Sequence, residues 1–156
     1  MSSTDLKKLA AGIVAGIALN LIGASPAVAT TATGNQNPDL TVSVSLASRG
    51  TADPDSATVG DTVDAVLSVR NNKPLTFGAR VETVRLRLAV GIPLDSSFSF
   101  SVTVFLFPQQ TLRLPFDFTV GDLFPKGTYS LTLEAAEVDD ATAPPPSSAT
   151  ATLTIF

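Results

Sequence analysis

The sequence of 156 residues contains no cysteine, no histidine and no tryptophan, and only one tyrosine. Without cysteine there is neither a disulfide bond nor a thiol nucleophile, and without histidine there is no imidazole for acid–base catalysis. Cysteine and histidine are also the usual zinc ligands, so zinc fingers and most transition-metal sites are excluded. A glycosidase-type carboxylate pair is the remaining alternative, but the acidic residues within the predicted strands, Asp64, Glu82, Asp117 and Glu134, have no aromatic platform for a sugar beside them. No Gly-x-Ser-x-Gly motif is present either. We therefore expect a protein that is not an enzyme, with no catalytic residues and no cofactor.

Charged side chains are scarce, at 15% of the residues, and acidic ones outnumber basic ones. Leaving out Asp5, Lys7 and Lys8, which precede an apolar stretch, reduces the 14 acidic and 10 basic residues to 13 and 8, a net charge of −5. Nucleic-acid backbones and anionic lipid surfaces attract positive charge. We therefore expect no nucleic-acid partner.

Residues 1–29 predict a removable export signal. Lys7 and Lys8 precede an uncharged, mostly apolar stretch over 9–22, and small residues stand at Ala27 and Ala29, an order typical of a secretory signal cleaved after Ala29. A membrane anchor is the alternative, but glycine, asparagine and proline shorten the apolar segment to about 14 residues, and a span needs about 20. The sequence therefore predicts a secreted protein, extracellular or periplasmic, with no stable membrane span after cleavage.

Residues 30–38 are small, polar and without a period, and we expect them to form a flexible leader. From residue 39 to residue 156, apolar and polar residues alternate in seven segments, the period of a half-buried strand. The segments are 40–46, 63–69, 84–90, 98–106, 112–120, 129–135 and 149–155. Together they predict an all-β domain over 39–156, a seven-stranded antiparallel immunoglobulin-like β-sandwich after an N-terminal signal helix.

The parity of each strand predicts the core. Arg85 and Arg87 cannot both be buried, so the residues between and beside them face inward. The same argument along the other strands places these residues in the core: Leu67, Leu86, Val102, Phe116 and Leu131. Pro115 lies on the outward parity of the fifth strand, where it cannot donate to a ladder, so this strand is predicted to be an edge or to carry a bulge.

An outer-membrane barrel is an alternative all-β fold, since its strands also alternate. Its lipid interfaces need girdles of tyrosine and tryptophan. This chain has one tyrosine and no tryptophan, an odd number of predicted strands and a proline within a strand. The sandwich is therefore favoured.

Four short motifs stand where predicted strands begin or end: Pro38–Val42, Val59–Val63, Val69–Asn72 and Lys126–Tyr129. They resemble the CARDB-type domain of bacteria and archaea, a cell-adhesion-related, immunoglobulin-like sandwich usually carried in large surface proteins. The resemblance covers about the whole chain after residue 29. It implies an extracellular binding or spacer module without catalytic residues.

Tyr129 follows a Gly-Thr pair at the entrance of the sixth predicted strand. This is the place of a tyrosine corner, whose ring lies in the core and whose hydroxyl bonds to the backbone of the preceding loop. An ordinary core aromatic is the alternative. We favour the corner.

One end of the predicted sandwich collects acidic residues, because the first, third and fifth loops meet there. They carry Asp53, Asp55, Asp61, Asp95 and Asp122. Carboxylate oxygens are the hard ligands that calcium prefers, so a calcium site is one hypothesis for this end. The alternative is that these residues form turns and keep the loops soluble, and no EF-hand spacing is present.

The second, fourth and sixth loops meet at the other end. Phe105 and Phe107 occupy the solvent parity of the fourth strand, and Phe77 lies in the second loop. We favour a bulge near Phe105 or a covering loop that buries both rings of the fourth strand. The alternative is an exposed aromatic patch formed by Phe77, Phe105 and Phe107, which would mark the contact site of a protein or cell-surface partner.

The sequence therefore predicts a secreted, non-enzymatic β-sandwich module for binding, adhesion or structural spacing at the cell surface, and we expect a monomer. A pilus-type subunit that assembles by strand donation is one alternative, although residues 30–37 lack the alternating apolar side chains of a donor. A glycan-binding module is another, weakened by the lack of tryptophan.

Overall fold

The computed structural model describes residues 30–93, 96–138, 142 and 144–156. This part of the chain forms nine strands: β1 Thr30–Gly34, β2 Leu40–Ser48, β3 Ser56–Ala57, β4 Thr62–Asn71, β5 Glu82–Ile92, β6 Ser96–Leu106, β7 Thr111–Thr119, β8 Gly127–Glu137 and β9 Ser147–Ile155. No helix in the described ranges has the length and hydropathy needed to cross a membrane. The predicted signal segment lies outside the described residues.

The strands form two sheets, a four-stranded sheet in the order β1-β2-β4-β7 and a five-stranded sheet in the order β3-β9-β8-β5-β6. Every pairing is antiparallel except that of β3 with β9, which is parallel. The buried apolar residues come from both sheets and form one core between them. The predicted two-layer β-sandwich is therefore confirmed. All seven predicted segments are strands, β2 and β4 to β9.

The predicted count of seven strands is wrong, because β1 and β3 add to it. β1 pairs with β2 from Thr30 opposite Leu46 to Gly34 opposite Val42, so the expected flexible leader is a strand over residues 30–34. Backbone pairing needs no apolar side chain, and of the residues in β1 only Ala32 packs against the core. β3 has two residues, too few to show a period in the sequence.

The two sheets approach each other closely along β1 and β9. A Cβ atom added at Gly34 would lie 1.9 Å from the backbone oxygen of Ser148, so glycine is required at this crossing. The backbone N–H of Ser148 also donates to Oε1 of Gln36 at 2.8 Å. This side of the sandwich is therefore closed.

Four of the five predicted core residues are buried: Leu67, Leu86, Phe116 and Leu131. The prediction is wrong for Val102, whose side chain is 47% exposed. Val102 has the inward parity, opposite Leu86, but β6 is the outermost strand of the wider sheet. The four-stranded sheet does not extend far enough to cover the middle of β6.

Two local predictions about the strands are confirmed. The ring of Tyr129 is buried and its hydroxyl donates to the carbonyl of Pro125, four residues upstream, at 2.7 Å, which is a tyrosine corner. Burial raises the pKa of Tyr129 above its ordinary value. Pro115 lies in β7, an edge strand of the four-stranded sheet. A proline is tolerated there because an edge strand pairs with a neighbour on one side only.

Candidate binding surface at the apolar end

Large exposed apolar side chains gather where β5 begins and β6 and β8 end. Phe105 and Phe107 are 67% and 60% exposed, and Phe77 is fully exposed. We call this surface the apolar end, and its exposed apolar residues are Leu75, Phe77, Val81, Phe105, Phe107 and Val138. Sequence reasoning found the three phenylalanines and missed Leu75, Val81 and Val138.

The predicted bulge near Phe105 is not present, and the expectation that both rings turn inward is wrong. β5 and β6 pair without interruption from Glu82 opposite Leu106 to Ile92 opposite Ser96. A regular pleat keeps Phe105 on the outer face with the other odd-numbered residues of β6. No covering loop shields the ring either, since it stays two-thirds exposed in the described structure.

The turn between β6 and β7 holds Phe107. Its backbone N–H donates to Oε1 of Gln110 at 2.9 Å, and the N–H of Gln110 donates back to its carbonyl at 3.0 Å. Gln109, between them, has a φ of 64°, a left-handed conformation that is costly for a residue with a Cβ atom. Such a conformation persists where surrounding contacts fix it.

Gln109 ties this turn to the loop over residues 72–81. Its Nε2 donates to the backbone carbonyls of Asn72 and Lys73, each at 2.8 Å, and its Oε1 accepts from Nη2 of Arg70 at 2.8 Å. These bonds offset the cost of its backbone conformation. They also fix the loop that carries Leu75 and Phe77 beside the turn that carries Phe107.

Phe77 stands at the tip of a β-turn. The N–H of Ala79 donates to the carbonyl of Thr76 at 3.0 Å, and Gly78 has a φ of 80°. A positive φ at the third position is the signature of a type II turn, which glycine adopts without steric cost. The turn projects Phe77 into solvent. In the sequence, the Phe-Gly pair at positions 77 and 78 is the signal that indicates this turn.

Lys73 anchors the same loop to the end of β8. Its Nζ lies 3.1 Å from Oε2 of Glu137, 3.3 Å from Oε1 of Glu82 and 3.9 Å from Oδ2 of Asp39. Partial burial acts to lower the pKa of Lys73, but the hydrogen bonds and charges of Glu137 and Glu82 outweigh it, so this pKa is raised. The Glu137 side chain is almost fully buried and also accepts from Nδ2 of Asn37 at 3.4 Å. A buried charge of this kind requires its partners.

The opposite end, which we call the acidic end, carries the aspartates considered as calcium ligands. Oδ1 of Asp53 accepts from the N–H of Asp55, and Oδ2 of Asp61 accepts from the N–H and hydroxyl of Thr58. Asp122 is exposed, and Asp95 lies outside the described residues. Nowhere in the described ranges do three or more carboxylates converge in a group that could hold a metal ion. The described geometry of Asp53 and Asp61 is that of turn formers.

A cavity of about 40 Å³ lies in the core below the acidic end, lined by Leu46, Val90, Phe116, Phe118, Phe124, Tyr129, Ser130, Leu131, Leu153 and Ile155. Pockets for small molecules are roughly 300–1,000 Å³. This cavity is far too small for such a ligand. The apolar end is therefore the best candidate for a functional surface in the described structure.

Comparison with known proteins reveals neighbours in fold. The chain matches no family profile and no curated protein. It is similar to the C-terminal domain of wzt (14% identity over 72% of this chain and 70% of that chain, TM-score 0.47). It is also similar to the CARDB domain of the PF1109 protein from Pyrococcus furiosus, solved in complex with di-metal ions (18% identity, 72% and 91%, TM-score 0.43). A third similar structure is the putative ApaA protein from Bordetella pertussis (13% identity, 75% and 94%, TM-score 0.44).

One of these neighbours is a CARDB domain, the type of domain that the sequence motifs resemble. At TM-scores of 0.47 or less and identities of 18% or less, the likenesses assign no function to the chain. The resemblance implied a sandwich of two sheets, and the strands of this chain form one.

Proposed function

We propose that this chain is an exported, non-enzymatic β-sandwich module that binds a protein partner at the cell surface through the apolar end. The observation that carries the proposal is the gathering of six exposed apolar side chains, three of them phenylalanines, at one end of the sandwich. A large exposed apolar surface on a soluble domain commonly marks a contact site. Aromatic residues are also enriched at the centres of protein interfaces.

The fixed geometry of the loops supports this proposal. Gln109 and Lys73 hold the 72–81 loop against the β6–β7 turn and the end of β8. A surface that is ordered before binding loses less conformational entropy in the complex than a mobile one. Phe77 and Phe107 are therefore presented as preformed anchors.

The alternative of strand donation by the leader receives no support from the fold. Residues 30–34 already pair with β2 of their own domain. A donor strand would have to leave that pairing, and it carries one small apolar side chain, Ala32, toward the core. A contact made by the apolar end needs no such rearrangement.

Photo-crosslinking tests the proposal. Phe107 is replaced by benzoylphenylalanine, and the protein is produced and irradiated in the cells that naturally export it. The matched control carries the same group at Leu123, which is also apolar and is more exposed than Phe107 but lies at the acidic end. We expect one discrete crosslinked protein at position 107 and none at position 123.

Surface variants complete the test. Phe77→Ser and Phe105→Ser are expected to reduce crosslinking at position 107 at least fivefold. Because both rings are exposed, each variant is expected to change the free energy of unfolding in urea by under about 0.5 kcal/mol. Equal crosslinking at positions 107 and 123, or none at 107, would refute the proposal.

A further inference from the structure

Strand β6 is an open edge of the five-stranded sheet. In the described structure it pairs along all of its 11 residues with β5 and with no strand on its other side. An edge strand presents a row of backbone N–H and C=O groups that are ready to pair with another strand. Natural proteins usually protect such edges with charge, proline, bulges or short length.

None of these protections is found in β6. Its sequence, SSFSFSVTVFL, contains no charged residue and no proline, and its pairing with β5 contains no bulge. The edge of the other sheet on this side differs, because β7 carries Arg113, Pro115 and Asp117. The contrast marks β6 as the edge that is open to pairing.

The inward side of β6 is also incompletely covered. Val102 is exposed, and Phe98, Phe100 and Val104 are only partly buried. Across from them on β7, Leu112 and Leu114 are partly buried as well. The sandwich is therefore open between β6 and β7, whereas its other side is closed where Gly34 meets Ser148. An added strand would extend the sheet and cover these side chains at the same time.

We propose that β6 pairs with β6 of a second copy of this chain, antiparallel about a two-fold axis at Ser101, to form a continuous ten-stranded sheet. Centred on Ser101, the register uses the whole strand and is self-complementary. Phe100 then lies opposite Val102 of the other copy, and Ser99 opposite Thr103. On the inward side, Phe98 then lies opposite Val104 as well, and only Leu106, which is already buried in its own domain, lies opposite a serine, Ser96. Opposed apolar side chains stabilise a cross-strand pairing, and the two-fold axis presents the same strand on both copies.

Charge does not oppose this dimer. The basic residue next to the proposed axis is Arg87, which pairs with Ser101 from β5. Its Nη1 lies 3.7 Å from Oε2 of Glu134. The two copies of Arg87 would be three strand spacings apart, about 14 Å at about 4.8 Å a spacing. This separation exceeds the Debye length of roughly 8 Å at physiological salt. The two paired β6 strands themselves contain only serine, threonine and apolar residues.

The size of the contact predicts a weak dimer. Eleven residues from each copy form the pair, fewer than the roughly 20–30 residues a side of a standard stable interface. Association is therefore concentration-dependent, with a dissociation constant on the order of micromolar or weaker. This proposal replaces the expectation of a monomer and is independent of the apolar-end proposal.

A single cysteine tests the axis, since the chain contains no other. Residues opposite each other on adjacent antiparallel strands have Cβ atoms roughly 4.5–5.5 Å apart, near the range that a disulfide bridges. Under mild oxidation, Ser101→Cys is expected to form a disulfide-linked dimer at least tenfold faster than Thr119→Cys. Thr119 is an exposed residue at the edge of the other sheet and serves as the matched control. Equal rates at the two positions would overturn the proposal.

Sedimentation velocity over a concentration series gives the second readout. The wild type is expected to shift from monomer to dimer with no larger species. Ser101→Lys, which opposes two ammonium groups at the axis, is expected to weaken dimerisation at least tenfold, and Thr119→Lys less than twofold. A wild type that is monomeric at every concentration, or an open series of oligomers, would contradict the closed pair. Phe107→Ser is expected to leave the dimer unchanged, which separates this proposal from the apolar-end contact.

Discussion

Replacing Lys73 by methionine is expected to destabilise the domain far more than an exposed lysine would suggest. Methionine keeps most of the aliphatic stem but removes the ammonium that lies 3.1 Å from Glu137 and 3.3 Å from Glu82. The Glu137 side chain is 3% exposed, so it cannot recover the lost interaction from bulk water. Among the described residues, the amide of Asn37 at 3.4 Å remains as a donor to this carboxylate.

The magnitude follows from the burial of the partners. Removing one member of a fully buried ion pair costs about 3–5 kcal/mol. Lys73 itself keeps a quarter of its side chain in solvent, and water weakens a charge interaction there. We therefore expect Lys73→Met to lower the free energy of unfolding by about 1–3 kcal/mol in urea titrations at neutral pH.

Two further variants test whether the unpaired charge of Glu137 causes the loss of stability. Glu137→Gln added to Lys73→Met removes the unpaired buried charge and is expected to restore at least half of the lost stability. Lys126→Met, at an exposed lysine of the acidic end, is the matched control and is expected to cost under about 0.5 kcal/mol. A Lys73→Met variant as stable as the control, or a double variant less stable than the single one, would refute the argument.

The same cluster has a pH signature. The raised pKa of Lys73 means that its contribution is fully present below the ordinary value of 10.5 and is lost as the pH rises through the higher value of the folded state. In the wild type, the stability is therefore expected to decline above about pH 10.5. Lys73→Met is expected to show a shallower decline over the same range.

The remaining predictions concern Tyr129 and strand β6. Because Tyr129 is the only tyrosine and burial raises its pKa, the near-ultraviolet absorbance of the folded protein is expected to report ionisation above pH 10.0, returning to that value in urea. A folded titration at the unfolded value would refute the corner's burial. Val102→Ala is expected to cost under about 1 kcal/mol because the side chain is half exposed, whereas Leu67→Ala is expected to cost about 2–5 kcal/mol. Equal costs in urea titrations would contradict the open side of the sandwich.

The fold could be predicted where the side chains repeat with a period of two. Strands β2 and β4 to β9 each place several apolar residues on one face, and that pattern is visible without a structure. β1 and β3 could not be found this way. β1 is held by backbone hydrogen bonds and has almost no apolar residues, and β3 is too short.

Burial was harder to predict than parity. Val102 and Leu86 have the same inward parity and pair with each other, but Leu86 lies one strand further from the edge and is buried. The difference depends on the order of strands in the sheets, which the sequence pattern does not contain. Phe105 shows the converse. The alternation of β6 predicts that Phe105 faces outward, and this is correct. The bulge that was expected to turn its ring inward is absent.

The candidate surface could be predicted only in part. The odd parity of Phe105 and the loop position of Phe77 are visible in the sequence, so both were considered as contact residues. The anchor made by Lys73 could not be foreseen, since its partners belong to three different segments and two of them, Asp39 and Glu137, are distant in sequence. Such clusters arise only when the topology brings loop ends together.

The direction of the first and last strands, β1 and β9, has a consequence for attachment. β1 begins beside Leu46, and β9 ends beside Gly127, so the start of β1 and the end of β9 both lie at the acidic end of the sandwich. A surface, a linker or a neighbouring domain joined before β1 or after β9 would therefore hold the sandwich by its acidic end. The apolar end would then point outward, at the far tip of the tethered domain, where it meets an approaching molecule first.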